Sequence, residues 1–329
     1  MIWLTWRQFR GQAIAALAAL AVLATYLTYL GVRIQNAYDA NVECGAGCSL
    51  STARDALERE FITAIGVTGL LVTIVPAILG AFWGAPLIAR EIETGTHRLV
   101  WNQSVTRVRW LSVKLAFVIL AGVVVAGASS LLLTWAAGPY DKLIGQRFEA
   151  LTFPARNITP IGYAVFAVVL GTTVGLVARR TIPAMAITLA VFVGLQILMP
   201  TVIRPHLQTP ITETRQFEET VGQVGISLND DGSVTLEGYS IPGAWMLDSS
   251  VPLHDADGKP VTDELIRSCF TGSLEDDMAC LAGKNLHFTV SYHPGDRYWT
   301  FQLLETMVCL VLAGMLAAFA FWRIPRGVN

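Results

Sequence analysis

The sequence predicts an all-α polytopic membrane protein with six transmembrane helices, both termini cytosolic, and a small extracellular α+β domain between helices five and six. Three observations carry that prediction. Hydrophobic residues make up 53% of the 329 and charged residues only 15%, well below the roughly 25% charge of soluble proteins. Six apolar stretches approach or exceed the ~20 residues that cross a bilayer as a helix. A long hydrophilic segment, 204–298, separates the fifth from the sixth.

Residues 1–11 come first. Ile2, Trp6, Phe9 and Ala13 recur at helical spacing, which predicts a short helix on the inner membrane surface. Trp3 and Trp6 are its interfacial anchors, and Arg7 and Arg10 favour the cytosolic side. The alternative is an ordinary basic flank. Residues 12–203 hold spans one to five. Span one runs from Gln12 to Val32. A loop from Arg33 to Glu60 follows. Span two runs from Phe61 to Gly84, with Pro76 as a candidate kink. A charged connector at 85–110 leads to span three, Leu111 to Ala137. Span four runs from Pro160 to Ala178. Arg179-Arg180 and Pro183 leave room only for a tight turn before span five, which ends near Ile203. Span six is 299–322, and 323–329 is a basic cytosolic tail.

Lys and Arg are distributed unevenly among the connections. Eleven fall on the side of the termini: Arg7 and Arg10, then Arg90, Arg98, Arg107, Arg109 and Lys114, with Arg179, Arg180, Arg323 and Arg326 completing the set. The short loops of the other side hold six. That asymmetry places the termini in the cytosol and the four loop cysteines outside. Cys44–Cys48 and Cys269–Cys280 are then read as disulfides of an oxidising compartment. A metal clasp at Cys44-x-x-x-Cys48 is the alternative, but no His lies near. Segment 204–298 is too long for a bare loop. Gly225–Leu228 and Ser233–Leu236 flank Asp231-Gly232 as a hairpin. Leu286, Phe288, Val290 and Tyr292 alternate with polar residues as a strand, and Asp263 to Phe270 reads as a short helix.

The usual catalytic signatures are missing. There is no Gly-x-x-x-x-Gly-Lys-Ser/Thr loop, no His-Glu-x-x-His and no Gly-x-Ser-x-Gly. All five histidines fall outside the spans, so no intramembrane metal site is expected. His254-Asp255-Ala256-Asp257-Gly258 starts like a calcium loop but continues with Lys259-Pro260, and reads as a polar turn. Nothing points to nucleic acid as a partner; membrane lipids surround the spans. Glu305 lies inside span six. Such a carboxylate is costly in a bilayer, so it either pairs across a subunit interface, faces a substrate path, or sits near enough to the outer surface to be wet. Lys114 reads as a snorkelling anchor.

The densest polar signal is the connector. Leu87 to Thr94 predicts a two-turn helix with Ile88 and Ile92 on one face, Glu91 and Glu93 as exposed acids, and Gly95 at the stop. The pattern suits a rigid helix pressed into a groove on a partner; a solvated loop is the alternative.

At these residues the chain resembles the permease subunits of ABC-2 type exporters, especially the actinobacterial group. The resemblance is carried by Trp3-Leu4-Thr5-Trp6-Arg7-Gln8 and by Ala85-Pro86-Leu87-Ile88-Ala89-Arg90-Glu91-Ile92-Glu93-Thr94-Gly95-Thr96-His97-Arg98, continued by Trp101-Asn102-Gln103-Ser104-Val105-Thr106-Arg107 and Arg109-Trp110-Leu111. It implies a multi-pass protein of a bacterial plasma membrane that dimerises with itself or a related permease. Cytosolic ABC ATPase subunits would dock beneath it and bind the ATP and Mg, leaving this chain without a cofactor. It places Leu87, Ile88, Arg90, Glu91, Ile92, Glu93, Thr94 and Gly95 in an ATPase-coupling helix, and Trp3, Trp6, Arg7 and Arg10 in the surface helix. The implied substrate is an amphipathic or hydrophobic antibiotic, peptide or lipid. The folded segment 204–298 departs from the short re-entrant helices of many relatives. A membrane sensor with an outer ligand-binding domain is the rival reading.

Overall fold

The structure is a computed structural model that describes residues 2–42, 50–96, 106–217, 225–229, 232–269 and 274–327. Cys44 and Cys48, and residues 97–105 of the connector, lie outside the described residues.

The chain divides into two compact units, one made of 1–144, 148–207 and 299–329, the other of 145–147 and 208–298. The first is a helical bundle. Its helices are α1 (Ile2–Val42), α2 (Leu50–Leu79), α3 (Ala85–Glu93), α4 (Arg107–Ala136), α5 (Gly138–Ile144), α6 (Thr159–Ala178) and α7 (Thr181–Leu198). Helix α10 (Tyr298–Gly327) completes it. Six helical stretches are long and apolar enough to cross a membrane, which makes this a mostly helical, multi-pass membrane protein.

Helix α6 sits at the centre of the bundle. In its most apolar window 72% of the residues are buried, against 11% to 39% in the other five. Its sequence explains the position. Gly162, Ala164, Ala167, Gly171, Thr172, Thr173 and Gly175 keep its surface low, and small residues let neighbouring backbones approach closely in a bilayer. Around it pack Leu79 and Trp83 of the α2 end, Val118 of α4, Phe192 of α7 and Cys309 of α10. The outward faces of the peripheral helices are apolar too: Ile14, Leu17, Leu120, Leu131, Ile182 and Val311 are all exposed. In hydrocarbon an apolar exterior carries no desolvation cost.

Several boundaries differ from the sequence reading. Residues 2–42 form one unbroken helix, so no break in the helical backbone marks the surface segment expected at 1–11. At 1.5 Å per residue α1 is ~60 Å long, about twice the hydrocarbon thickness. The loop expected from Arg33 to Glu60 is mostly helix, because α1 and α2 both run on past the apolar windows. Arg33 meets Glu60 across them. Likewise the tail expected from 323 is helical to Gly327. Span two does not stop at Gly84. A π-helical turn, Gly80–Gly84, joins α2 to α3 without interruption.

The second unit is built on a sheet with strands β1 (Ile211–Gln216), β2 (Gly225–Leu228), β3 (Val234–Glu237), β4 (Trp245–Met246), β5 (Ser250–His254) and β6 (His287–His293). The order is β1-β6-β5-β3-β2, with β4 also on β6, and all pairings are antiparallel. The hairpin is present, with Gly225 opposite Glu237 and Leu228 opposite Val234, and Gly232 closes it at φ +78°. Asp231 lies outside the described residues. Phe288 and Val290 of β6 are buried against Leu236, Leu253 and Ile266, while His287 and Thr289 occupy the other face, as a period of two requires. Helices α8 (Asp263–Arg267) and α9 (Leu274–Ala282) cover the core. Cys269 is bonded to Cys280, with Cα atoms 5.5 Å apart. Asp255 Oδ1 accepts the backbone N–H groups of Asp257 and Lys259, both at 2.9 Å, so the segment after His254 is a self-bonded turn.

Candidate functional site

Helix α3 is where the connector motif takes shape. Pro86 stands in its first turn, where a missing N–H costs nothing. Its end is set by Gly95, which adopts φ +74°. That left-handed conformation costs a glycine little and lets the N–H of Gly95 bond to the carbonyl of Ile92 at 3.2 Å. The helix and its glycine stop are as the sequence reading has them.

The faces of α3 are not. Ile88 is fully buried, against Trp110, Leu111, Leu176 and Ile324 of the chain itself, and Ile92 packs beside it. The apolar stripe read as a docking face for a partner is therefore spent on the bundle. Glu91 is not an exposed acid either. Its carboxylate pairs with the ammonium of Lys114 on α4, and the two side chains are only 13% and 5% exposed. Lys114 also stands 5.0 Å from the centroid of the Trp110 ring, so it is turned into the bundle rather than snorkelling out. Glu93 is exposed as expected, but it is engaged. It accepts from the N–H of Thr181 at 3.0 Å and from its hydroxyl at 2.7 Å. Those contacts tie α3 to the start of α7. What α3 leaves to solvent is Arg90, Glu93 and Thr94, with Leu87 half-buried.

Behind α3 the packing is unusually close. A methyl built on Gly171 would collide with the carbonyl oxygen of Gly80 and meet the nitrogen of Ala85 at 2.7 Å. One on Gly175 would meet the carbonyl oxygen of Ala85 at 2.5 Å. Two small-x-x-x-small pairs, Gly80/Gly84 and Gly171/Gly175, thus let the α2–α3 junction and α6 touch backbone to backbone. The spacing of these four glycines is the signal in the sequence that marks this contact. On the other side, the Thr106 side chain caps α4 by accepting from the N–H of Arg109 at 3.3 Å, and Arg107 donates to the carbonyl of Pro325 at 3.3 Å. The connector therefore touches helices α4, α6, α7 and α10.

Glu305 lies elsewhere, in a buried cluster of α6, α7 and α10. It is fully buried. Arg204 reaches it twice, through Nε to Oε2 at 2.8 Å and a terminal nitrogen to Oε1 at 3.2 Å. The Tyr163 hydroxyl donates to Oε1 at 2.7 Å. The Arg204 guanidinium also lies 4.0 Å from the centroid of the Phe153 ring. Glu305 is thus not wet, and it has a counter-ion in its own chain. The sequence reading makes Arg204 the first residue of the hydrophilic segment. A π-helical turn, Met199–Ile203, followed by a tight turn at 204–206 rotates it inward instead.

The backbones of Trp3, Trp6 and Arg7 belong to α1, and their side chains lie outside what is described; Arg10 is exposed. Among the described residues no group of three or more His, Cys, Asp or Glu is placed to hold a metal ion.

Residues 17–204, more than half of the chain, match the family described as ABC-2 membrane transporter related. The chain belongs to that family. No curated protein and no solved structure matches it. The ABC-2 assignment covers most of span one, spans two to five and the whole connector, and ends at Arg204. It makes the chain a transporter permease subunit, a membrane transport component that is not itself catalytic. Members of such systems normally work with a cytosolic ATPase.

Proposed function

We propose that this permease is the membrane half of an ATP-driven exporter. It dimerises with itself or a related permease in a bacterial plasma membrane, and separate cytosolic ATPase subunits bind the ATP and Mg. The excess of basic residues on the side of the termini supports placing α3 in the cytosol.

The observation that carries the reading is the construction of α3. A helix pushed by a motor must pass the push on. This one is continuous with α2 and bonded to α4 and α7 by Glu91 and Glu93. Arg90, Glu93, Thr94 and Gly95 are the face offered to the ATPase; Ile88, Glu91 and Ile92 are the inner face that transmits the load. ATP and substrate then each favour one of two bundle arrangements, as coupling requires. The substrate class is an amphipathic or hydrophobic molecule.

The test is purification of the tagged permease in mild detergent after co-expression with ATPases from its own host, followed by mass analysis and ATP turnover. A stoichiometric ATPase whose turnover the permease stimulates is the expected result. The folded unit at 208–298 favours one rival, a sensor that binds an outer ligand. A permease that purifies alone, binds a ligand through that unit and stimulates no ATPase would replace the exporter reading with that one.

A further inference from the structure

A cavity of about 470 Å³ opens between the start of α1, the α2–α3 junction and the start of α4. That volume is in the range of sites for small molecules. Phe9, Trp83, Pro86 and Leu87 are the apolar part of its lining. Arg90, Lys114, Thr94 and Thr96 are the polar part, with Glu91 paired to Lys114.

The charges decide what fits. Two cations and one carboxylate leave a net positive site. Lys114 is held by Glu91 and is 4% exposed. Arg90, by contrast, is exposed, and among the described residues its guanidinium has no acid partner. The Thr96 hydroxyl has local partners, the Thr94 hydroxyl at 3.1 Å and the Glu91 carbonyl at 3.4 Å, and as a rotatable donor it can turn from them to an anion. Arginine, lysine and hydroxyl donors around one space are the chemistry of a phosphate, and the apolar part of the lining calls for a hydrocarbon chain on the same molecule.

Depth decides the source. The stretch able to span begins at Phe9 in the first helix, ends at Glu93 in the second and begins at Arg107 in the third. The cavity therefore lies at the ends of three candidate spans on one side of the bundle, and the basic residues gathered there, Arg10, Arg90, Arg107 and Arg109, favour headgroup level for it. We propose that it binds an anionic phospholipid of that leaflet, with the phosphate between Arg90 and Lys114 and an acyl chain along Phe9, Trp83 and Leu87. The bound lipid joins α1 to α3 and α4, so the stiffness of the connector depends on the leaflet's composition. The cavity shares Arg90 and Thr94 with the face proposed for the ATPase, but lipid binding needs no ATPase and is tested on the chain alone.

The test uses the full chain, purified without partner in mild detergent. Phosphatidylglycerol and phosphatidylcholine of equal chain length are titrated in, and retained lipid is read by native mass spectrometry. The expected result is one tightly held phosphatidylglycerol, preferred roughly five- to tenfold. R90Q lowers that preference to near one, and being at an exposed position it leaves the fold intact. The double variant E91Q/K114Q, which removes both buried charges together, also weakens retention. Equal retention of the two lipids, or a preference unchanged in R90Q, would overturn the proposal. Displacement by glycerol 3-phosphate at equal concentration would overturn the lipid assignment in favour of a free phosphate ester.

Discussion

Removing Arg204 is the most informative perturbation of the bundle. In R204M the Glu305 carboxylate keeps its position and loses its counter-ion. Both side chains are essentially inaccessible, 1% and 0%, so water cannot replace the guanidinium. Breaking a buried pair from one side costs about 3–5 kcal/mol. The Tyr163 hydroxyl still donates to Glu305, which offsets about 1 kcal/mol at most. Removing both charges is different. R204M/E305M leaves no buried ion, and its remaining cost is the Tyr163 hydroxyl without an acceptor, about 1–3 kcal/mol. The double variant is therefore more stable than R204M alone. The assay is thermal unfolding of the purified chain in detergent, followed by loss of the monodisperse size-exclusion peak. For a unit of about 235 residues R204M should lower the midpoint by roughly 10 °C, with about half recovered in the double variant. A double-mutant cycle with Y163F separates the third partner. If R204M unfolds with the parent, or the double variant falls as far as the sum of the singles, the pair is not the buried tie described above.

Other outcomes follow from the connector and the second unit. E93A and G95V should each reduce stimulation of the partner ATPase about tenfold or more with the bundle still folded, read as turnover per assembled complex; E91A tests this poorly because it strands Lys114. G171A forces a methyl against the Gly80 carbonyl and should cost about 1–3 kcal/mol or more, seen as lost monodispersity. C269S should release about 2–3 kcal/mol of restraint on the second unit, given the short loop between the paired cysteines, and limited proteolysis should then cut there before the bundle. The Arg215 hydrogen bond holds the Glu213 carboxyl below its ordinary 4.5. Its contribution is present above that value and lost as pH falls below it, so E213Q should flatten the acid limb of the second unit's unfolding curve.

Span number, the glycine stop of α3, the hairpin and β6 were legible because each rests on a short-range signal. Hydropathy length, a glycine after a helical turn and alternation along a strand need no tertiary knowledge. The faces of α3 were not. Ile88 and Ile92 mark an apolar stripe, but the stripe cannot say whether it meets a partner or its own bundle. Continuity with α2 depends on the π turn at Gly80–Gly84, which places the Ile88 face toward Trp110 and Leu176. Glu91 and Lys114 are 23 residues apart, and nothing local pairs them. Arg204 was missed because a cation after an apolar run is normally a membrane flank. The demand of Glu305 for a counter-ion was the available clue, and the small-residue spacing in spans two and four was another.

Helices α2 and α3 with their π turn make one rod of 44 residues, 50–93, held from the side at Gly80, Gly84 and Ala85 by Ala167, Val168, Gly171 and Gly175 of α6. That hold is off-centre. About 16 Å of rod lies on the α3 side of it and about 48 Å on the other. A rod pivoting there is a lever with unequal arms. A displacement of 1 Å at the α3 tip becomes about 3 Å at Leu50, gained in amplitude and reduced threefold in force.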